Sequence, residues 1–176
     1  TVFGKTDLGR NREHNEDSFL VADLSSRTAS LHPEVREHTI GAKGSPMVVA
    51  DGMGGAAAGE IASEMATDTI FKHMTGAWFE ESESTPQRFA FRLKESVERA
   101  NGLIHSYARE NVETRGMGTT TTAVGILIGH LYLAQVGDSR AYLLHGGQLE
   151  QITEDHTLVH RMVLEGEISE EEAETH

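Results

Sequence analysis

The order of the elements predicts an α+β fold: an antiparallel sheet or β-sandwich with α-helices laid against it. Three observations carry this. Short extended segments come first. Two amphipathic helical stretches follow, at 59–75 and 86–110. A run of strands separated by tight turns then fills 119–153. Strands and helices are grouped and do not alternate, which is the pattern of layered α+β proteins and not of βαβ proteins. At 176 residues the chain is long enough to bury a core.

Residues 1–9 and 17–22 read as short strands around a polar turn, 9–16. The polar stretch 25–45 reads as a long loop leading into a strand at 47–50, where Met47, Val48, Val49 and Ala50 form an apolar run. In the first helix, Ile61, Met65 and Thr69 share one face, with Ala62, Ala66 and Ile70 beside them. An acidic connection, 76–84, ends at Thr85 and Pro86, which suit an N-cap and a first helical position. Phe89, Leu93, Val97, Ala100 and Ile104 then mark a long apolar stripe. From 119 to 128 the chain is rich in Thr, Val and Ile, which favour strands. Turns at Gly129-His130 and Gly146-Gly147 divide the remainder into strands 131–136, 140–145 and 148–153, a local antiparallel meander. Asp155 is expected to cap a short helix reaching Glu165, and another helix is expected from Ser169.

Composition narrows the function. The formal net charge is −13, against the basic balance of proteins that grip a nucleic-acid backbone. There is no cysteine, so disulfides and thiolate metal sites are excluded; this agrees with a reducing, cytoplasmic setting. No apolar run approaches the roughly 18 residues of a membrane-spanning helix.

Three polar motifs punctuate the apolar segments. Residues 48–55 read Val-Val-Ala-Asp-Gly-Met-Gly-Gly, so that Asp51 stands at the end of a strand beside a glycine-rich turn. Residues 12–17 read Arg-Glu-His-Asn-Glu-Asp, and 137–140 read Gly-Asp-Ser-Arg. Carboxylates fixed at strand ends next to accessible carbonyls suit a hard cation such as Mg²⁺ or Mn²⁺, and arginine suits a phosphate. Taken singly, each motif is equally a plain turn. Gly52–Ala57 also fits the G-x-G-x-x-A pattern of a dinucleotide-binding turn. That reading is disfavoured, because Asp51 would face the pyrophosphate and no second parallel strand follows the helix. Arg140 is expected to be a local partner of Asp138.

Together these segments resemble the metal-dependent protein phosphatases of type 2C in their bacterial form. Arg12–Asp17, Val48–Gly55, Gly116-Met-Gly-Thr-Thr-Thr-Thr122 and Val136-Gly-Asp-Ser-Arg140 match in order, and 149–158 resembles the segment after the last hairpin. The resemblance covers essentially the whole chain, as a single domain over 1–176 that is incomplete at its C-terminal end relative to the family. It implies a β-sandwich flanked by helices with a two-metal centre at one end. Carried onto this sequence, Asp51 bridges two Mg²⁺ or Mn²⁺ ions and Gly52 binds one through its carbonyl. Glu16 holds metal-bound water, Asp17 lies beside the ions, Asp138 helps bind a third, and Arg12 clamps the substrate phosphate. The implied activity is hydrolysis of phosphoserine and phosphothreonine by direct attack of water, with Arg12, Glu16 and Asp51 as the catalytic set. The implied partners are phosphorylated proteins, among them Ser/Thr kinases or their substrates. A monomer is expected, with no nucleic-acid or membrane partner. Two further Asp ligands of the family, in an Asp-Gly and an Asp-Asn-like pair, do not occur after Asp138. A weakly active or non-catalytic phosphatase-like module that binds phosphoproteins or regulates a partner is the alternative. Met53 stands where some relatives carry a proton-donating histidine, which leaves metal-bound water or His156 as donor.

Overall fold

The computed structural model describes residues 1–10, 14–30, 35–54 and 58–173. Its strands are β1 (Val2–Phe3), β2 (Asp17–Asp23), β3 (Thr28–Ser30), β4 (Val35–Arg36), β5 (Ser45–Met53), β6 (Gly118–Thr119), β7 (Thr121–Leu127), β8 (His130–Val136), β9 (Tyr142–His145) and β10 (Gln148–Gln151). The α-helices are α1 (Ala58–His73), α2 (Pro86–Glu110), α3 (Leu158–Leu164) and α4 (Glu170–Ala173). One sheet runs β3-β2-β5-β7-β8, with β6 added beside the end of β5, and every pairing in it is antiparallel.

Alternation along β5 separates the two faces of this sheet. Val48, Ala50 and Gly52 are buried, whereas Val49, Asp51 and Met53 are exposed. The buried set lies under α1 and α2. Ser18, one register step from Leu20, hydrogen-bonds Thr67 of α1 at 3.1 Å. Phe89 and Leu93 of α2 crowd Gly125 of β7 so closely that a Cβ there would meet the Phe89 ring. Trp78, wholly buried, stacks edge-on against Phe89 at 5.2 Å, and its indole N–H donates to the Lys43 carbonyl at 2.7 Å. On the other face, β1 and β9 stand over β2, β5, β7 and β8 and leave an open groove of about 540 Å³ lined by Phe3, Phe19, Val49, Val124, Leu131 and Leu143. The α+β antiparallel sandwich with flanking helices is therefore present, with a helix layer on one face and short ribbons on the other.

α2 matches its expected span, and Thr85 Oγ1 accepts the Arg88 N–H as its cap. α1 buries Ala62, Ser63, Ala66, Thr67 and Ile70, with Ile61 and Met65 at its margin, and continues into a π-helical turn at Met74–Trp78.

Several boundaries differ from the expectation. Only Val2–Phe3 of the first segment is extended, and it pairs with β4, not with β2. The expected loop 25–45 contains β3, which pairs with β2, and β4. β5 does not stop at Ala50: pairing with β2 and β6 carries it through Asp51 to Met53. The expected strand 119–128 is interrupted at Thr120. Among the described residues the β9–β10 hairpin pairs only with itself, so the meander is broken after β8, which stays in the main sheet. α3 is capped by Thr157 Oγ1 and not by Asp155, which binds Arg140 instead. Ser169 and Glu172 form reciprocal bonds at the start of α4.

Candidate metal and phosphate site

The site gathers at the end of the sheet where β2 begins and β5 ends. Antiparallel register sets Asp17 directly opposite Asp51. Directly opposed residues have Cα atoms about 5 Å apart and side chains on the same face. Two carboxylates are thus held side by side on the open face, in line with Phe19 and Val49. Like charges so opposed destabilise a sheet unless a cation or donors compensate. A cation between them is one way to offset that repulsion, and the Thr6 hydroxyl that donates to Asp17 is another.

The backbone around the pair is braced from both sides. Asn15 Oδ1 accepts the Asp17 N–H at 3.1 Å. Thr6 is tied to Asn15 at 2.8 Å and donates to the Asp17 carboxylate at 3.3 Å. On the other side, the Thr120 N–H and the Thr119 hydroxyl both donate to the Asp51 carbonyl, at 2.9 and 3.0 Å, while Thr120 Oγ1 accepts the Asp51 N–H at 3.1 Å. Thr119 and Thr120, which the sequence offers as the start of a strand-favouring run, thus position Asp51. The signal available was polar residues in a strand directly after a glycine.

Gly52 follows with its N–H donating to the Glu16 carbonyl at 3.0 Å. A Cβ at Gly52 would lie 2.6 Å from that carbonyl oxygen and would collide with the carbonyl of Gly59. Only glycine lets the strand lie against the first turn of α1. Glu16 reaches the same turn: a Cβ at Gly59 would lie 2.6 Å from its carboxylate oxygen. A negative side chain is well placed there, near the positive end of the helix dipole.

Asp138, exposed in the turn after β8, is held near this centre through its neighbours. Ser139 Oγ bonds Thr120 Oγ1 at 2.7 Å, its carbonyl accepts from Thr122 at 2.9 Å, and Gly137 packs against Thr120. His156 Nδ1 accepts the Gly137 N–H at 3.4 Å. Arg140 does not pair with Asp138. It forks onto Asp155, with Nε 2.9 Å from Oδ1, and this guanidinium holds the Asp155 carboxyl below the usual carboxylate range.

The structure therefore joins Glu16, Asp17, Asp51 and Gly52 at one strand junction and ties the turn bearing Asp138 to it. Arg12, the expected phosphate clamp, lies outside the described residues, as does Gly55. Among the described residues no three His, Asp or Glu side chains converge as a metal-binding group. The donors present are carboxylate and carbonyl oxygens, which fit Mg²⁺ or Mn²⁺ in kind.

A helix-covered antiparallel sheet with opposed carboxylates at the end of two central strands defines the class, and residues 35–174 match the family described as protein phosphatase 2C: this chain belongs to that family. It is 38% identical over 173 residues to the serine/threonine phosphatase stp of Listeria welshimeri, covering 98% of this chain and 61% of that protein. The S. agalactiae serine/threonine phosphatase superposes with a TM-score of 0.78 at 31% identity, over 98% of this chain and 62% of that one. The catalytic domain of serine threonine protein phosphatase PstP, in complex with 2 manganese ions, gives 0.69 at 34% identity, over 96% and 61%. The chain thus spans about 61% of the length of these relatives.

Proposed function

We propose that the protein is a Mg²⁺- or Mn²⁺-dependent serine/threonine phosphatase acting on phosphorylated proteins, including Ser/Thr kinases or their substrates. The observation that carries the reading is the Asp17–Asp51 register pair. It supports a cation between two central strands in a family whose PstP member is described with two manganese ions.

In this reading Asp51, Asp17, Glu16, Asp138 and the Gly52 carbonyl would hold the ions. Bound divalent ions supply positive charge for the phosphoryl oxygens and acidify water near neutral pH. Arg12 grips the phosphate through paired donors and orients it for in-line attack. Water attacks phosphorus, the P–O bond to the serine or threonine oxygen breaks, that oxygen takes up a proton, and inorganic phosphate leaves. Residues 1–176 offer no cysteine to form a thiol phosphoenzyme. Thr119 and Thr120 keep the Asp51 backbone fixed while charge builds up. Residues 1–176 are read as belonging to one phosphatase domain of a cytoplasmic monomer. The acidic balance argues against nucleic-acid partners, and no helix among the described residues is long and apolar enough to cross a membrane.

The test uses the full natural polypeptide that contains this chain. Hydrolysis of a small aryl phosphate should require Mn²⁺ or Mg²⁺ and stop on chelation. Asp51→Asn, which keeps the shape and removes the charge, should lower kcat/KM by roughly 10²-fold or more. Folded, metal-supplied protein without turnover refutes the catalytic reading.

A further inference from the structure

Beside the metal site lies a second concavity, of about 610 Å³, between the last turns of α2 and the segment 115–119. Its floor is apolar: Val97, Ile104 and Met117 line it and are almost fully buried. It adjoins the candidate site through Thr119, although none of Glu16, Asp17, Asp51 and Asp138 lines it. Met53, Gly118 and Thr119 form its inner wall, and Thr119 is the residue that bonds the Asp51 carbonyl.

Its rim carries two guanidinium groups, Arg109 and Arg115, both exposed, and the exposed imidazole of His105. None of the three side chains has a hydrogen-bond or ion-pair partner among the described residues. Earlier on the same helix Arg88 and Arg92 are paired with Glu81 and Glu95, and Lys94 with Glu98, while Arg99, away from the groove, has no side-chain partner among the described residues. Glu110 and Glu113, the acids nearest in sequence to the rim, do not line the groove. In a chain of net charge −13, Arg109 and Arg115 set two guanidinium groups without a side-chain partner among the described residues beside an apolar trough. Such a patch steers and orients an anionic partner.

We propose that this groove receives the peptide next to the phosphorylated residue. Arg109 and Arg115 would favour substrates with Asp or Glu flanking the phosphorylated residue. This rests on the phosphatase reading above and adds the substrate class. Arg109 and Arg115 are specificity residues and touch no reacting atom.

Two phosphothreonine peptides that differ only in Glu against Gln at the flanking positions test it, with an aryl phosphate as a substrate too small to reach the groove. In R109E/R115E, kcat/KM for the acidic peptide should fall roughly tenfold. The neutral peptide and the aryl phosphate should be unchanged, and the parent's preference should fade as salt is raised. R109Q/R115Q, with a thermal melt matching the parent, should show the same pattern to a smaller degree and guards against misfolding. Equal effects on both peptides, or none, overturn the proposal. If the parent hydrolyses nothing, the phosphatase reading has failed on its own. Anisotropy of the labelled acidic peptide then decides the groove: tighter binding to the parent than to R109E/R115E supports it, and equal binding overturns it.

Discussion

The two faces of the central sheet are built from alternate residues of the same strands, yet they have different surroundings. Under the helices, Leu20, Val48, Ala50, Ala123 and Leu127 are 2% exposed or less. On the opposite face Val49 is 52% exposed and Leu131 47%, and the β1 and β9 ribbons stand over them across an open groove. Both faces are apolar, which is why Met47–Ala50 reads as an unbroken hydrophobic run and not as an alternating one. Hydrophobic pattern alone therefore shows which residues are suited to burial, not which are buried among the described residues. The candidate site sits on the open side of this divide. Asp17 and Asp51 share a face with Phe19 and Val49, so the charged pair meets the groove and not the helix core.

Replacing Trp78 by Ala should do the greatest damage on the covered side. It empties a fully buried site, removes the ring contact to Phe89 and leaves the Lys43 carbonyl without its indole donor. We expect a loss of about 3–5 kcal/mol, seen as a fall of about 10 °C in the thermal midpoint. The comparison becomes sharpest at two adjacent residues. Val48→Ala should cost about 2 kcal/mol in urea unfolding, whereas Val49→Ala should cost less than about 1 kcal/mol. Equal losses would mean that the open face is closed in solution.

A smaller effect, of the opposite sign, belongs to the β7–β8 turn. Two-residue hairpin loops of this kind need positive φ at both positions. Gly146 and Gly147 meet that demand between β9 and β10, with φ of 59° and 80°. Between β7 and β8 the first position is Ile128, at φ 50° and 66% exposed. A β-branched residue is strained there and gains little from burial. Ile128→Asn should stabilise the protein by about 0.5–1 kcal/mol, raising the midpoint by about 2 °C.

The Arg140–Asp155 fork ties the base of the β9–β10 ribbon to the chain ahead of α3, and its effect should be seen in acid. Arg140 lowers the Asp155 pKa below its ordinary 3.8. The folded state therefore holds that proton less tightly than the unfolded state. The stabilisation is present above pH 3.8 and is lost as pH falls from there through the lowered folded value. Urea melts taken from about pH 5 downward should show this loss in the parent, and Asp155→Asn should remove that part of the slope.

Much of the molecule was legible before folding. α2 announced itself through Thr85, Pro86 and a stripe from Phe89 to Ile104, because capping and 3.6-residue periodicity are local properties. The three acidic motifs were legible for the same reason. The end of β5 was not. Asp51-Gly52-Met53 reads as a turn, and only pairing with β2 and β6 keeps it extended. The partner of Arg140 was misjudged in favour of Asp138, two residues away, because chain proximity carries no information on which way a side chain points. Thr119 and Thr120 looked like strand formers, since their bonds to Asp51 and Ser139 span long stretches of sequence.

Sequence alone determined the helices, the family motifs and the oxygen-donor, thiol-free chemistry open to the site, because these follow from residue type and short-range spacing. Tertiary structure decided the register that sets Asp17 against Asp51, the face on which that pair stands, and the cationic groove where α2 meets the segment before β6. Each of these depends on contacts between residues far apart in the chain, and cross-strand pairing places every side chain on one face or the other.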